Sequence, residues 1–218
     1  LHAAYVLQGL SPSKEQLAKE GIYIERDVLK ENVGAQDQVA AAFGGFNKIT
    51  FGRNEEIKVE PISVPENRIN ELDSHSLLYF TGFSRYASEI AKDQIEKTSE
   101  RKKELSLMHQ MVDEAVGILK DDKRDIAEFG KLLHQNWQLK KSLTNKISNP
   151  AIDNIYQTAL NAGAIGGKLL GAGGGGFILL FVSSENQPKV REALKDLLEV
   201  PFRFEKDGSQ IIYKNHEI

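Results

Sequence analysis

The chain has 218 residues, of which 28 are basic and 31 acidic, so its formal net charge is −3. A protein that binds nucleic acid or an anionic membrane presents a basic face, and this charge balance argues against both partners. The sequence contains no cysteine, which excludes disulfides, thiolate metal sites and a cysteine nucleophile. Its 40% hydrophobic content allows one large domain or two small ones, and no apolar stretch approaches the ~20 residues of a membrane-spanning helix.

The first third of the sequence predicts helices followed by two strands. The opening residues, without a Met or a helix cap, resemble the second half of a helix, so we expect the chain to be a C-terminal fragment. A helix is predicted from Ser11-Pro-Ser13 to about Glu31, and a short alanine-rich helix is predicted to end at Gly44-Gly45. Runs rich in β-formers predict strands at 47–51 and 57–62.

A domain boundary is predicted near residues 64–73, where Pro61 and Pro65 interrupt the chain, and it separates domains 1–72 and 73–218. The second domain is predicted to contain, in chain order, a strand at 77–81, helices at 85–99, 103–120, 125–144 and 149–160, a strand at 177–182, a helix at 187–198, and strands at 202–204 and 211–213. This order predicts an α+β fold, in which helices pack on one face of an antiparallel sheet.

The stretch from Gly166 to Gly176 holds seven of the 18 glycines and leads directly into the apolar run that begins at Phe177. Ordering glycine costs roughly 0.5–1 kcal/mol more than ordering alanine, so such a concentration suggests unusual backbone angles or close approach to a ligand. Successive free N–H groups in a loop of this kind bind anions. We therefore predict a phosphate-binding loop, formed by Gly171, Ala172, Gly173, Gly174 and Gly175.

Two well-known glycine motifs do not fit the context of this loop. Residues 171–176 satisfy G-x-G-x-x-G, but that dinucleotide fingerprint follows a strand and opens a helix, whereas here a helix is predicted before the loop and a strand after it. A Walker A loop is excluded because no Gly-Lys-Ser/Thr closes the run. A flexible glycine hinge is the structural alternative.

Two carboxylates in the first part of the chain are candidates for phosphoryl-transfer chemistry. Asp37 follows Gly34 at the predicted start of the alanine-rich helix, where a carboxylate is also favoured by the helix dipole alone. Glu25 borders an apolar helical stripe, which is equally expected of a partly buried surface glutamate. Phosphoryl transfer requires a group that orients the attacking hydroxyl and a cation that bridges phosphate oxygens, and these are the two roles considered for Asp37 and Glu25.

Ser84 and Arg85 follow a predicted strand and a glycine turn at the opening of a helix. Free N–H groups, the positive end of the helix dipole and a guanidinium together favour an anion. A serine N-cap with Arg85 paired to Glu89 is the structural alternative. Lys140 is a further candidate for phosphate binding, although position alone also fits an ordinary solvated helix face.

Four segments in order resemble the GHMP kinase superfamily, which includes galactokinase, homoserine kinase, mevalonate kinase and phosphomevalonate kinase. The glycine-rich stretch 167–177 resembles the third signature of these kinases, and residues 32–45 are similar to the segment that carries their catalytic aspartate. Residues 79–88 and 133–143 resemble the D-glycero-D-manno-heptose 7-phosphate kinase branch. Counterparts of the first signature and of the glycine-rich second signature, which wraps the ATP phosphates, are missing from this sequence.

The resemblance implies the C-terminal part of a two-domain kinase that uses ATP and Mg²⁺. It implies that residues 1–72 are the remainder of the catalytic, ribosomal S5-like domain and that 73–218 are the C-terminal domain. It assigns Asp37 as the catalytic residue and Glu25 as the metal ligand, and the predicted substrate-binding residues are Gln36, Ser84, Arg85 and Lys140.

The implied reaction transfers the γ-phosphoryl group of ATP to the anomeric hydroxyl of a heptose 7-phosphate, in the cytoplasm. Two alternatives stay open on the sequence: a kinase of the same superfamily that acts on another sugar, such as fucose or galactose, and a sugar-phosphate-binding module without turnover. The sequence makes no prediction of the oligomeric state.

Overall fold

The computed structural model describes residues 1–52, 56–83 and 87–213. It divides the chain into two compact units: unit 1 consists of Leu1–Ile62 together with Phe204–Ile218, and unit 2 consists of Ser63–Arg203. The division thus falls before residue 63 rather than after residue 72, and the chain returns to unit 1 after Arg203. Among the described residues, no helix combines the length and the apolar character needed to cross a membrane.

Unit 1 begins with three helices, which are α1 (His2–Leu7), α2 (Lys14–Tyr23) and α3 (Gln36–Phe43). The Ser13 side chain caps α2 by accepting a hydrogen bond from the backbone N–H of Gln16 at 3.1 Å. The predicted continuous helix to about Glu31 is not observed, because α2 gives way to a π-helical turn at Ile24–Val28. Lys30, with φ of 58°, then takes the left-handed conformation that ends helical geometry.

The strands of unit 1 are β1 (Asn47–Phe51) and β2 (Ile57–Pro61), which pair antiparallel with Ile49 opposite Val59. Both strand predictions are confirmed to within one residue. The core of this unit is small, since its buried cluster is formed by four side chains on α2 and α3: Leu17, Ala18, Val39 and Ala42. This core packs α2 against α3, and it thereby fixes the helix ends that carry Glu25 and Asp37.

Unit 2 contains six α-helices, a 3₁₀ turn at Thr98–Glu100 and four strands among the described residues. The helices are α4 (Glu66–His75), α5 (Ala87–Lys97), α6 (Lys102–Lys120), α7 (Ala127–Leu143), α8 (Pro150–Asn161) and α9 (Gln187–Ala193). The strands are β3 (Ser76–Phe80), β4 (Ala164–Leu169), β5 (Phe177–Val182) and β6 (Leu198–Glu199), in the fully antiparallel order β4-β5-β3-β6. The predicted α+β class with an antiparallel sheet is confirmed.

The main core of unit 2 lies where the sheet packs against its helices. Alternate residues of β5, among them Ile178 and Leu180, are fully buried together with Trp137 of α7 and Ile152 of α8. Burial of each such side chain contributes about 1.5–3 kcal/mol, so this cluster stabilises unit 2 far more than the four-residue cluster stabilises unit 1.

Three sequence predictions for unit 2 need correction. Residues 202–204 and 211–213 form no strands, and the short edge strand β6 lies earlier, at Leu198–Glu199. The helix predicted at 187–198 ends at Ala193, which frees the chain to form β6. The polar helix α4 occupies much of the predicted boundary, and it belongs to unit 2 because its Arg68 and Leu72 are buried there.

Strand β4 was not predicted, and its glycines explain how it packs. A Cβ placed on Gly166 would lie 2.0 Å from the carbonyl oxygen of Gly130 in α7, so only glycine allows this close approach of helix and strand. The contact holds α7 beside the strand that leads into the glycine-rich loop.

Candidate active site

Asp37 lies in the first turn of α3, where the predicted helix start is confirmed. Ala35 precedes the helix and supplies no side-chain cap. Asp37 and its neighbour Gln36 are both exposed at this helix end, so the Asp37 carboxylate is accessible to a ligand. Gln36 opens the helix directly beside it.

Glu25 lies in the π-helical turn that continues α2. It is half-buried, and its Oε2 accepts a hydrogen bond from Nε2 of Gln38 at 2.7 Å. Because Gln38 directly follows Asp37, this contact places Glu25 and Asp37 at the same end of the packed pair α2–α3. We call Glu25 and Asp37 the carboxylate pair.

The π-helical turn determines where the Glu25 side chain projects. The Leu29 N–H donates to the carbonyl oxygen of Ile24 at 2.9 Å, which is the i→i+5 bond of a π-helix, and the Glu31 N–H donates to the carbonyl oxygen of Glu25 at 2.9 Å. Such single turns are rare and are found frequently at functional sites. Hydrophobic periodicity alone does not reveal a π-turn, and the sequence prediction therefore missed it.

The carboxylate pair fits the Mg²⁺ that the family resemblance implies. No cluster of three or more His, Cys, Asp or Glu side chains suited to a metal occurs in the described part of the chain. Mg²⁺ needs no such cluster, because it is usually held by one or two carboxylates together with substrate phosphates and water. Glu25 supplies one carboxylate, and its Oε1 accepts no hydrogen bond from any described residue. A free carboxylate oxygen of this kind suits a hard cation.

In unit 2, the glycine-rich segment is the connection between β4 and β5. The Leu170 N–H donates to the carbonyl oxygen of Phe177 at 2.8 Å and closes this hairpin. We call Gly171–Gly176 the glycine loop. Its position before a strand is as predicted, but a strand also precedes it, since β4 lies between α8 and the loop.

The carbonyl groups of the glycine loop accept hydrogen bonds from side chains around it. The Lys140 amine donates to the Gly171 oxygen, and Gln94 Nε2 donates to the Ala172 oxygen at 2.8 Å. The Gly176 oxygen accepts from both the N–H and the hydroxyl of Thr81, each at 2.9 Å. These contacts turn several loop carbonyls toward the protein.

Only some amide groups of the glycine loop donate hydrogen bonds to the protein. Gly174 N–H donates to the Ile147 oxygen, and Gly176 N–H donates to the Phe83 oxygen, both at 2.8 Å. Within the described residues, the N–H groups of Gly171, Ala172, Gly173 and Gly175 have no acceptor. A loop in which three carbonyls are bonded to the protein and four amides are left over favours an anion such as phosphate.

Steric limits explain why glycine occupies the middle of the loop. Gly173 has φ of 121°, and a Cβ there would lie 2.8 Å from both the Cα and the carbonyl oxygen of Ile147. A Cβ on Gly175 would lie 2.6 Å from the carbonyl oxygen of Phe83. Since the neighbours are backbone atoms, a side chain at either position would displace the loop.

A charged network fixes the segment that carries Ile147. Asp93 of α5 accepts a hydrogen bond from the Thr144 hydroxyl and forms salt bridges with Lys97 at 3.0 Å and Lys146 at 3.1 Å. The Thr144 hydrogen bond, followed by the lysine contacts, holds the pKa of the Asp93 carboxyl well below its ordinary value. Sequence reasoning missed Asp93 and Gln94, because nothing in their spacing indicated that Asp93 contacts Thr144 or that Gln94 contacts a loop more than seventy residues away.

Lys168 of β4 is a further residue that sequence reasoning missed. It is partly buried, its side chain makes no salt bridge or hydrogen bond with the described part of the chain, and burial lowers the pKa of its amine. It precedes the glycine loop by three residues. The sequence signal that could have identified Lys168 is its position in an apolar strand without an acidic neighbour in sequence.

The predicted substrate-binding residues have different outcomes. Lys140 contacts the glycine loop itself, through the Gly171 oxygen, and Gln36 lies beside Asp37 at the start of α3. Ser84 and Arg85 lie outside the described residues, so their assignment stays a prediction.

The fold agrees with a family match. Residues 108–200 match the family described as GHMP kinases C terminal, and this part of the chain is a GHMP kinase C-terminal domain.

Individual relatives are consistent with this assignment. The chain is 34% identical to D-glycero-alpha-D-manno-heptose 7-phosphate kinase of Campylobacter jejuni over 83% of its own length and 53% of that protein. It is 30% identical to mevalonate kinase of Pyrococcus horikoshii over 94% of its length and 59% of that protein. A crystal structure of a D-glycero-D-manno-heptose 1-phosphate kinase from Bacteroides thetaiotaomicron matches with a TM-score of 0.66 and 29% identity, over 98% of this chain and 60% of that one. The chain therefore spans between about half and three-fifths of the length of these relatives.

Proposed function

We propose that this chain is part of an ATP- and Mg²⁺-dependent sugar kinase that phosphorylates the anomeric hydroxyl of a heptose 7-phosphate. The observation that carries the kinase proposal is the glycine loop, in which three carbonyls are bonded to the protein while four amides have no acceptor among the described residues. Similarity to two heptose phosphate kinases supports the substrate class.

In the proposed reaction, the acceptor oxygen bonds to the γ-phosphorus of ATP as the bond to the β–γ bridging oxygen breaks. ADP leaves with that electron pair, and Asp37 accepts the proton of the hydroxyl. Catalysis of this step depends mainly on positioning and charge stabilisation. The exposed Asp37 carboxylate at the start of α3 orients the hydroxyl, and the free amides of the glycine loop bind phosphate oxygens.

Glu25 would hold Mg²⁺, which supplies bridging of the phosphate oxygens and neutralisation of their charge when it is bound. Ser84, Arg85 and Lys140 are proposed to bind the phosphate that the substrate already carries. A phosphate is best recognised by a guanidinium, an ammonium and free N–H groups at a helix start.

The test is turnover of Mg²⁺-ATP by the complete protein that contains this chain, with heptose 7-phosphate, heptose 1-phosphate, mevalonate, galactose and fucose as acceptors. We expect ADP release with heptose 7-phosphate and a product phosphorylated at the anomeric carbon. Turnover confined to another acceptor would overturn the substrate assignment and leave the kinase assignment standing. Absence of turnover with the whole panel would overturn the substrate proposal and favour a binding module.

The Asp37→Asn variant tests the mechanism. We expect kcat to fall by about 10²–10⁴-fold, the usual contribution of a positioned acid or base, while thermal stability changes little because Asp37 is exposed. Asp153→Asn is the matched control, since Asp153 is also a carboxylate in the first turn of a helix. Unchanged turnover in Asp37→Asn would show that this carboxylate is not the catalytic residue.

A further inference from the structure

Gln38 lies between the two members of the carboxylate pair and was not identified by sequence reasoning. It follows Asp37 in α3, and its amide nitrogen donates to Glu25 Oε2 at 2.7 Å. The stem of its side chain lies over Gly21, where a Cβ would be 3.5 Å from the Gln38 Cγ. Gly21 is one turn before Glu25 in the same helical segment, so the Gln38 side chain runs along that segment to the carboxylate.

The other end of the Gln38 amide is unusual. Its Oε1 is buried and accepts no hydrogen bond from the described residues. A buried polar atom without a partner costs roughly 1–3 kcal/mol. A methionine of similar length would fill the same space without that cost, so stability does not account for a carboxamide at this position.

The contact with Glu25 gives the carboxamide a role. Glu25 is held in a π-helical turn, and the Gln38 contact is the only hydrogen bond to its carboxylate that the described residues show. That bond fixes the rotation of the carboxylate and leaves Oε1 of Glu25 for another ligand. Its amide orientation is also defined, because the reversed amide would place its oxygen against the Glu25 carboxylate.

We propose that Gln38 is a positioning residue that orients the Glu25 carboxylate for the divalent cation of the nucleotide complex. This inference rests on the proposed function, in which Glu25 holds Mg²⁺. It adds that α3 carries two roles in the proposed reaction. Asp37 orients the acceptor hydroxyl, and the next residue, Gln38, orients the metal ligand Glu25.

The test measures metal binding directly rather than turnover. Mn²⁺ replaces Mg²⁺, and free Mn²⁺ is followed by electron paramagnetic resonance in the complete protein with a non-hydrolysable ATP analogue. We expect Gln38→Met to weaken Mn²⁺ binding by about 10-fold, the lower end of the usual effect of removing a group that orients a metal ligand. We expect its thermal stability to be equal or higher, because the unpartnered oxygen is gone.

A control separates this effect from loss of any glutamine–glutamate contact. Gln16 Nε2 donates to Glu20 Oε1 at 2.9 Å in α2 of the same unit, and Gln16→Met is expected to leave Mn²⁺ binding unchanged. Gln38→Ala provides a second variant that removes the same hydrogen bond if the methionine variant does not fold.

The Glu25→Gln variant, alone and combined with Gln38→Met, distinguishes the possible failures. We expect no further loss of Mn²⁺ affinity when Gln38→Met is added to Glu25→Gln, because Gln38 acts through Glu25. If Glu25→Gln weakens binding and neither Gln38 variant does, the positioning role is wrong and the metal role of Glu25 stands. If Glu25→Gln itself leaves binding unchanged, the metal assignment is wrong, and with it the role of Gln38, whereas the Asp37 test of the kinase reaction is unaffected.

Discussion

The two units supply their proposed functional groups by different means. In unit 1, the proposed groups are the side chains of Glu25 and Asp37, carried on helices that pack around a core of four residues. In unit 2, the proposed groups are backbone amides of the glycine loop, which is held by Lys140, Gln94 and the Ile147 segment beside a large buried core. A side-chain group can be altered without changing the fold, whereas a backbone group can be altered only by displacing the chain.

The largest expected contrast comes from placing a methyl group in the glycine loop. Gly173→Ala adds a Cβ that would lie 2.8 Å from the backbone of Ile147, at φ of 121°. We expect turnover to fall by about 100-fold, as when reacting groups are misplaced by about 1 Å, together with a loss of roughly 1–3 kcal/mol of stability from the strained backbone. Asp37→Asn, in contrast, should affect turnover alone.

Gly9→Ala is the control for backbone strain, since Gly9 has φ of 75° and open space around its Cβ position. It should lower the free energy of unfolding without lowering kcat per folded molecule. Normal turnover in a folded Gly173→Ala protein would show that the loop tolerates displacement, and the contrast between the units would be lost.

A smaller effect is expected when a contact that orients the loop is removed. Gln94→Leu deletes the donor to the Ala172 oxygen, and the peptide groups around Ala172 gain freedom to rotate. We expect the KM for ATP to rise by about 5-fold, in keeping with the roughly 0.5–1.5 kcal/mol net value of one hydrogen bond. Gln157→Leu, which removes an exposed contact to Asn161 on α8, should leave KM unchanged. An equal KM shift in both variants would argue against an ordering role for Gln94.

The smallest effect concerns Lys168 and appears as a pH dependence of stability. Burial places the pKa of its amine below the ordinary 10.5, so between the folded and unfolded pKa values the unfolded chain binds more protons. The free energy of unfolding contributed by this group therefore rises with pH across that window. Below the window the amine is charged in both states, and the full burial penalty remains.

Lys168→Met should remove both the burial penalty of the amine and the rise of the free energy of unfolding with pH. Urea unfolding from neutral pH to about pH 10 should show the variant to be more stable at neutral pH, with the wild-type protein approaching it as pH rises. Lys195→Met alters an exposed lysine of the same unit and should leave the dependence of the free energy of unfolding on pH unchanged. A wild-type slope that persists in Lys168→Met would assign the dependence to another group.

The residues of the proposed site could be selected from the sequence because they are unusual there. Seven glycines in one stretch indicate a backbone-based site, and Asp37 after Gly34 indicates a carboxylate at a helix start. The contacts that orient these groups were not predictable. Gln94 and Gln38 are ordinary polar helix residues, and their roles arise only from tertiary contacts.

The errors in the fold prediction have the same physical origin. Strand β4 was missed because two glycines and a lysine interrupt its apolar pattern, and its conformation depends on pairing with β5 and on the close approach of α7. Apolar residues at Phe202–Phe204 suggested a strand, but Phe204 instead packs in a tilted orientation against Phe46, with ring centroids 5.2 Å apart. Helix α4 was missed because Pro61 and Pro65 indicate a linker, and its burial depends on Arg68, which donates to the carbonyl oxygens of Asp121 and Arg124.

The return of the chain to unit 1 after Arg203 has a consequence for the order of folding. The Glu205 oxygen accepts from the Gly45 N–H at 3.0 Å, and the Ser209 N–H donates to the Ala41 oxygen at 2.8 Å, so the last segment joins the end of α3. Unit 2 is contiguous and can fold as soon as it has been synthesised. Unit 1 must wait for residues that leave the ribosome after all of unit 2, and its completion is therefore the later event in biosynthesis. Loop closure over so many residues adds little cost, because the entropy term rises only with the logarithm of loop length.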